Sequence, residues 1–93
     1  MGKLVRDRVP ELFDGHSRPL DEVEYRAALR GKLQEEVSEY LESGEVHELA
    51  DVLEVMQALA GLDGVSAAGL EDMRKKKAAE RGAFDARLWW TAT

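Results

Sequence analysis

The chain has 93 residues, of which 44% are apolar and 34% charged, with a formal net charge of −6 and no cysteine. That is one domain's worth of sequence, and it excludes collagen-like, low-complexity and wholly disordered chains, disulfide staples and thiolate metal sites. No run nears the roughly 18 apolar residues of a membrane span and no apolar signal region opens the chain, so the expectation is a cytoplasmic protein without a membrane partner; the acidic balance argues against nucleic acid.

Residues 2–14 are mixed, with Pro10 permitting one helical turn, and 15–19 read as a loop. Asp21 followed by Glu24 has the spacing of a capping box, which predicts a long helix to about Glu42. Ser43-Gly44 reads as a tight turn. A second helix is expected over 45–60, with Gly61 as the residue just past its end. Ser66 is the expected N-cap of a third helix ending near Gly82. The tail from Ala83 reads as irregular, with Trp89 and Trp90 as packing or interface residues. The predicted class is all-α: an antiparallel helical hairpin plus a third helix, a single domain over 1–93. A core this small favours a helical bundle completed by oligomerisation, as a homodimer or higher homo-oligomer.

The charges are segregated. From Leu33 to Met73 there are eleven acids and no Lys or Arg, so the centre carries −11 and the ends +5. An acidic centre binds cations and basic ends bind anions; a divalent metal carrying a polyphosphate uses both.

Helical steps of about 100° sharpen this. On the first long helix, Leu29, Leu33, Val37, Tyr40 and Leu41 form the core stripe, with Glu36 on its edge. On the second, Leu49, Val52, Val55, Met56, Leu59 and Leu62 form the stripe, with Glu48 in its middle and Asp51 on its border. Glu36/Glu39 and Glu48/Asp51 are each i, i+3 pairs sharing a helix face. They are symmetric about the turn, which sets Glu36 level with Asp51 and Glu39 level with Glu48. Four carboxylates then converge with no basic partner built into the pattern, except that Lys32 can reach either the carboxylates or a phosphate. Like charges so placed repel, and a hard cation with oxygen ligands, Mg²⁺ or Mn²⁺, relieves the repulsion. A solvated acidic face is the alternative reading of the same residues. His47 is expected to project away from Glu48. The third helix carries Leu70, Arg74, Lys77 and Arg81 as a stripe, and the start carries Lys3, Arg6 and Arg8. Solvation and the helix dipole explain the first equally well.

Glu35-Glu36-x-x-Glu39 followed by Glu48-x-x-Asp51 resembles the EExxE…ExxD signature of the all-α NTP pyrophosphatase (MazG-like) superfamily. Lys3-Leu4-Val5-Arg6-Asp7-Arg8-Val9-Pro10-Glu11 resembles the KLVRDKIPE opening of its small house-cleaning branch, and Lys76–Phe84 resembles that branch's KKAEERGGF ending. The resemblance implies an enzyme that hydrolyses a nucleoside triphosphate to the monophosphate and pyrophosphate with Mg²⁺. It implies metal ligation by Glu36, Glu39, Glu48 and Asp51, and catalytic roles for Glu35 and Glu36. Glu35 would hold a further metal or orient the attacking water. It also implies phosphate contacts from Lys3, Arg6, Lys77 and Arg81, beside Lys32. The spacer between Glu39 and Glu48 is short for the superfamily, and Ala83 stands where the ending has its second Gly. A phosphoribosyl-ATP pyrophosphohydrolase, a non-catalytic nucleotide or metal sensor, and an acidic helical interaction module are the other readings.

Overall fold

A computed structural model describes residues 2–93. Four helices follow in order: α1 (Val9–Leu12), α2 (Glu22–Ser43), α3 (Val46–Leu62) and α4 (Ala67–Arg81). No strand occurs among the described residues, as the all-α reading expects.

The helix ends follow from local chemistry. The Asp21 carboxylate accepts the Glu24 backbone N–H at 2.8 Å, and the Asp21 N–H donates to Glu24 Oε1 at 3.3 Å. This reciprocal pair satisfies two of the donors a helix start leaves open. α2 then runs for 22 residues, about 33 Å, and stops at Gly44, which takes the left-handed conformation (φ 68°) and donates its N–H to Tyr40 O. Two residues later α3 returns antiparallel along α2, and the two helices pack as the hairpin the short turn requires. Ser66 caps α4 by accepting the Gly69 N–H at 3.0 Å. α4 packs on α3 alone.

One boundary differs from the sequence expectation. Gly61 does not terminate α3; the helix passes through it to Leu62. The left-handed residue is Gly64 (φ 77°). Its N–H donates to Gly61 O and the Val65 N–H donates to Ala60 O, the paired bonds of a Schellman motif. Both glycines can end a helix, and the two carbonyls captured this way favour the later one.

Packing leaves much of the hairpin uncovered. Leu29 and Val55 are the buried apolar side chains at its centre. Leu33, Tyr40, Val52, Leu59 and Leu62 are half-buried, while Val37, Leu41, Leu49, Leu53 and Met56 are exposed. The expected stripes are thus real, but one chain covers only part of them. The radius of gyration is 16.7 Å, against about 12 Å for a compact chain of this length. The accessible surface is 8466 Å², where a compact monomer of this mass has roughly 5400 Å². Part of the excess is the tail, whose Phe84, Leu88, Trp89 and Trp90 are almost fully exposed.

Two glycine substitutions test these assignments in opposite directions. Gly44→Ala places a side chain at a left-handed position and is expected to destabilise the fold by about 1–2 kcal/mol. Gly61→Ala, helical and with open space where the Cβ goes, is expected to stabilise it by up to about 1 kcal/mol. Urea midpoints of the two variants check both signs.

Candidate metal centre

The site is built by one face of α2 and the facing side of α3. Glu36 lies at the edge of the α2 apolar stripe, and α3 closes over it, so its residue exposure is only 8%. Glu36, Glu48 and Asp51 each present a carboxylate oxygen within 4.8 Å of the others. Glu35, Glu36 and Glu39 form a second such group. Glu36 belongs to both and joins them into a five-carboxylate patch. The level pairing of Glu36 with Asp51 across the hairpin therefore holds. Glu39 groups with Glu35 and Glu36 on its own helix.

Glu36 is the anomalous residue. Its Oε2 is buried and accepts no hydrogen bond from the protein. A buried polar atom without a partner costs about 1–3 kcal/mol. Burial pushes the Glu36 carboxyl above its ordinary range, the Glu39 carboxylate adds to the rise, Lys32 opposes it, and Asp51 adds a smaller push upward. Divalent Mg²⁺ and Mn²⁺ prefer such hard, clustered oxygens, so the donor set fits either ion, and the orphaned Glu36 oxygen is the atom whose cost an ion removes.

The patch is not free of basic partners, contrary to the sequence expectation. Arg6 Nη2 donates to Asp51 Oδ1 at 2.6 Å, reaching across from the N-terminal segment. Lys32 Nζ lies 3.4 Å from Glu35 Oε2 and 3.6 Å from Glu36 Oε1. Lys32 is thus within its own helix's acidic group, three and four residues from its partners. A linear pattern reveals that local pair but not the Arg6 contact, which spans 45 positions.

His47 corrects a second expectation. It does not project clear of Glu48: its Nε2 lies 3.4 Å from Glu48 Oε1, while Nδ1 lies 3.1 Å from Glu45 Oε2. The imidazole sits in the first turn of α3, where it reaches the adjacent carboxylate and the one before the helix. The spacing Glu45-x-His47-Glu48 was the available signal, and the angle about the helix axis concealed it because both side chains are long.

The remaining basic candidates are not drawn into the patch. Lys3 lines an open groove of about 1250 Å³ with Leu4, Phe13, Tyr25 and Ala28. Lys77 and Arg81 lie exposed on α4, and among the described residues neither forms an ion pair with the patch. α4 packs on α3 and, among the described residues, not on α2; the turn between α3 and α4 is tied to α2 by Asp63, whose Oδ1 lies 3.0 Å from Arg26 Nη2. No protein-family model, no curated protein and no solved structure matches the chain.

The raised Glu36 pKa makes metal-free stability pH-dependent. Because the folded state holds this proton more tightly than the unfolded chain, the Glu36 contribution is most favourable at low pH. It is lost as pH rises from the unfolded carboxylate value through the higher folded one. Glu36→Gln removes the charge while keeping the shape. Without divalent cation at pH 7 it is expected to stabilise the fold by about 1 kcal/mol, raising the melting temperature by roughly 4–8 °C. The variant should also flatten the fall in stability above the acid range. Thermal unfolding of both proteins from pH 4 to 8 in chelator reads both effects.

Proposed function

We propose that this chain is a metal-dependent nucleoside triphosphate pyrophosphohydrolase of the house-cleaning type, releasing a nucleoside monophosphate and pyrophosphate. The observation that carries this reading is the buried, partnerless Glu36 oxygen shared by two groups of carboxylates on one helical hairpin. The resemblance of its acidic, opening and closing motifs to the MazG-like superfamily supports it.

In this reading Glu36, Glu39, Glu48 and Asp51 hold Mg²⁺ or Mn²⁺, which when bound offsets their charge, polarises phosphate oxygens and lowers the pKa of water. Glu35, exposed beside Glu36, accepts a proton from the attacking water or orients it. Water adds to the α-phosphorus, the bond to the bridging oxygen breaks, and pyrophosphate departs with that electron pair. Lys32 and Arg6 lie on the patch where they can meet phosphate oxygens. Lys3 reaches the substrate from the groove side, and Lys77 and Arg81 from α4.

The exposed Val37, Leu41, Leu49, Leu53 and Met56 form the face on which a second copy completes the bundle. Such a pairing also offers a route for the α4 cations of one copy to approach the carboxylates of the other.

Two measurements test the proposed activity and assembly. Pyrophosphate release from a panel of standard and modified nucleoside triphosphates is expected only with Mg²⁺ or Mn²⁺. Glu48→Gln should reduce it by more than about a hundredfold, since even outer partners of a metal site are worth roughly 10–100-fold. Metal-dependent binding without release would favour the sensor reading, and turnover of phosphoribosyl-ATP alone the related hydrolase. Light scattering is expected to give at least twice the 10.4 kDa chain mass, falling toward one chain in Leu53→Asp. A monodisperse, fully active monomer would refute the assembly.

A further inference from the structure

We infer that Arg6 is an exchangeable counter-ion of the carboxylate patch: it holds Asp51 when no divalent cation is bound, and cation binding releases it to an incoming polyphosphate. This rests on the metal reading above and adds to it a coupling between cation, N-terminal segment and anion.

Three observations support it. First, Arg6 Nη2 sits 2.6 Å from Asp51 Oδ1, and Asp51 is one of the three acids that converge with Glu36 and Glu48. The guanidinium therefore holds a carboxylate that the cation also needs. Second, the contact is long in sequence and easily undone. Arg6 is 60% exposed and Asp51 35%, and a pair this open to water is screened and contributes little to stability. Lys32 differs, because it is largely shielded and stays beside Glu35 and Glu36 wherever α2 goes. Third, the segment carrying Arg6 is lightly held. Leu4, Val5 and Val9 are half-buried, while Lys3, Arg6, Asp7 and Arg8 are exposed. Arg6 O accepts the Val9 N–H, so Arg6 sits at the junction of this segment with α1.

The chemistry sets opposite signs for two ligands. A cation that ligates Asp51 must displace the guanidinium, so Arg6 opposes cation binding. Once displaced, the guanidinium lies next to the cation with its donors unpaired. Planar paired donors suit phosphate oxygens, so Arg6 favours an anion that binds with the cation. A residue of purely structural use weakens both ligands when removed; an exchanging counter-ion does not.

The test uses the full chain and two probes: Mn²⁺ alone, and inorganic tripolyphosphate added to the Mn²⁺-loaded protein, each followed by calorimetric titration. Arg6→Ala is expected to bind Mn²⁺ about two- to fivefold more tightly than the parent. The same variant is expected to bind tripolyphosphate about tenfold more weakly. Arg6→Lys, which keeps the charge without the paired donors, should fall between on both. In the parent, Mn²⁺ should speed amide hydrogen exchange over residues 3–9. Equal or weaker Mn²⁺ binding by Arg6→Ala, unchanged tripolyphosphate binding, or unchanged exchange would each overturn the inference while leaving the metal site standing. Failure of the parent to bind Mn²⁺, with Glu48→Gln behaving identically, would overturn the metal reading and this inference with it.

Discussion

Burial of the Glu36 carboxylate between two helices is the constraint around which the structure is arranged. A carboxylate taken from water is expensive, and the expense grows when other carboxylates surround it. The hairpin accepts it because its apolar stripes draw α2 and α3 together regardless of what lies at their edge. Leu29 and Val55 supply that attraction, and Glu36 is carried inward with them. Lys32, three residues before Glu35 and four before Glu36, offsets part of the charge from within the helix, and Arg6 offsets part from outside. Five acids against two bases leaves the patch acidic. That residual imbalance is what would favour a hard cation there, on the proposed reading.

Placing these groups on helices rather than loops has a mechanical consequence. The i, i+3 spacing fixes the separation of Glu36 from Glu39 and of Glu48 from Asp51, and the Gly44 turn fixes the register between the pairs. Ligands carried this way move little relative to one another. The N-terminal segment, by contrast, has no regular structure before α1 and reaches the patch through one exposed side chain, Arg6. On the proposed reading, acids fixed on helices with an exchangeable counter-ion would make a site that tolerates a change in its bound charge without a change in fold.

Much of this was legible in the sequence because helical periodicity is strict. The capping box at Asp21, the Ser66 cap, the Gly44 turn and the inward placement of Glu36 and Glu48 all follow from spacing and from what each side chain can donate or accept. What escaped was of two kinds. Gly61 and Gly64 are both able to end α3, and the choice depends on which carbonyls the next two N–H groups can reach, a three-dimensional matter. Arg6 and His47 escaped because long side chains reach beyond the sector their Cα occupies, and Arg6 crosses from a segment with no helical phase to extrapolate. The segregation of charge between centre and ends hinted that the basic start and the acidic hairpin would meet. The α4 stripe shows why such a hint needs geometry: Lys77 and Arg81 are equally basic, yet among the described residues neither pairs with the patch.

The incomplete core and the acidic patch are linked by sharing the same two helices. Leu49, Leu53 and Met56 face outward from the helix that carries Glu48 and Asp51, and Val37 and Leu41 flank Glu36 and Glu39 in sequence. Any partner covering these side chains lowers the local dielectric around the carboxylates. That strengthens every interaction within the patch, repulsive ones included. Without a cation, covering the apolar face gains hydrophobic burial but raises the cost of the five clustered charges. With a cation, the second effect turns favourable. If the proposed assembly and cation binding both occur, they would therefore reinforce each other through Glu36, the residue that belongs both to the packed edge of the hairpin and to the charged patch.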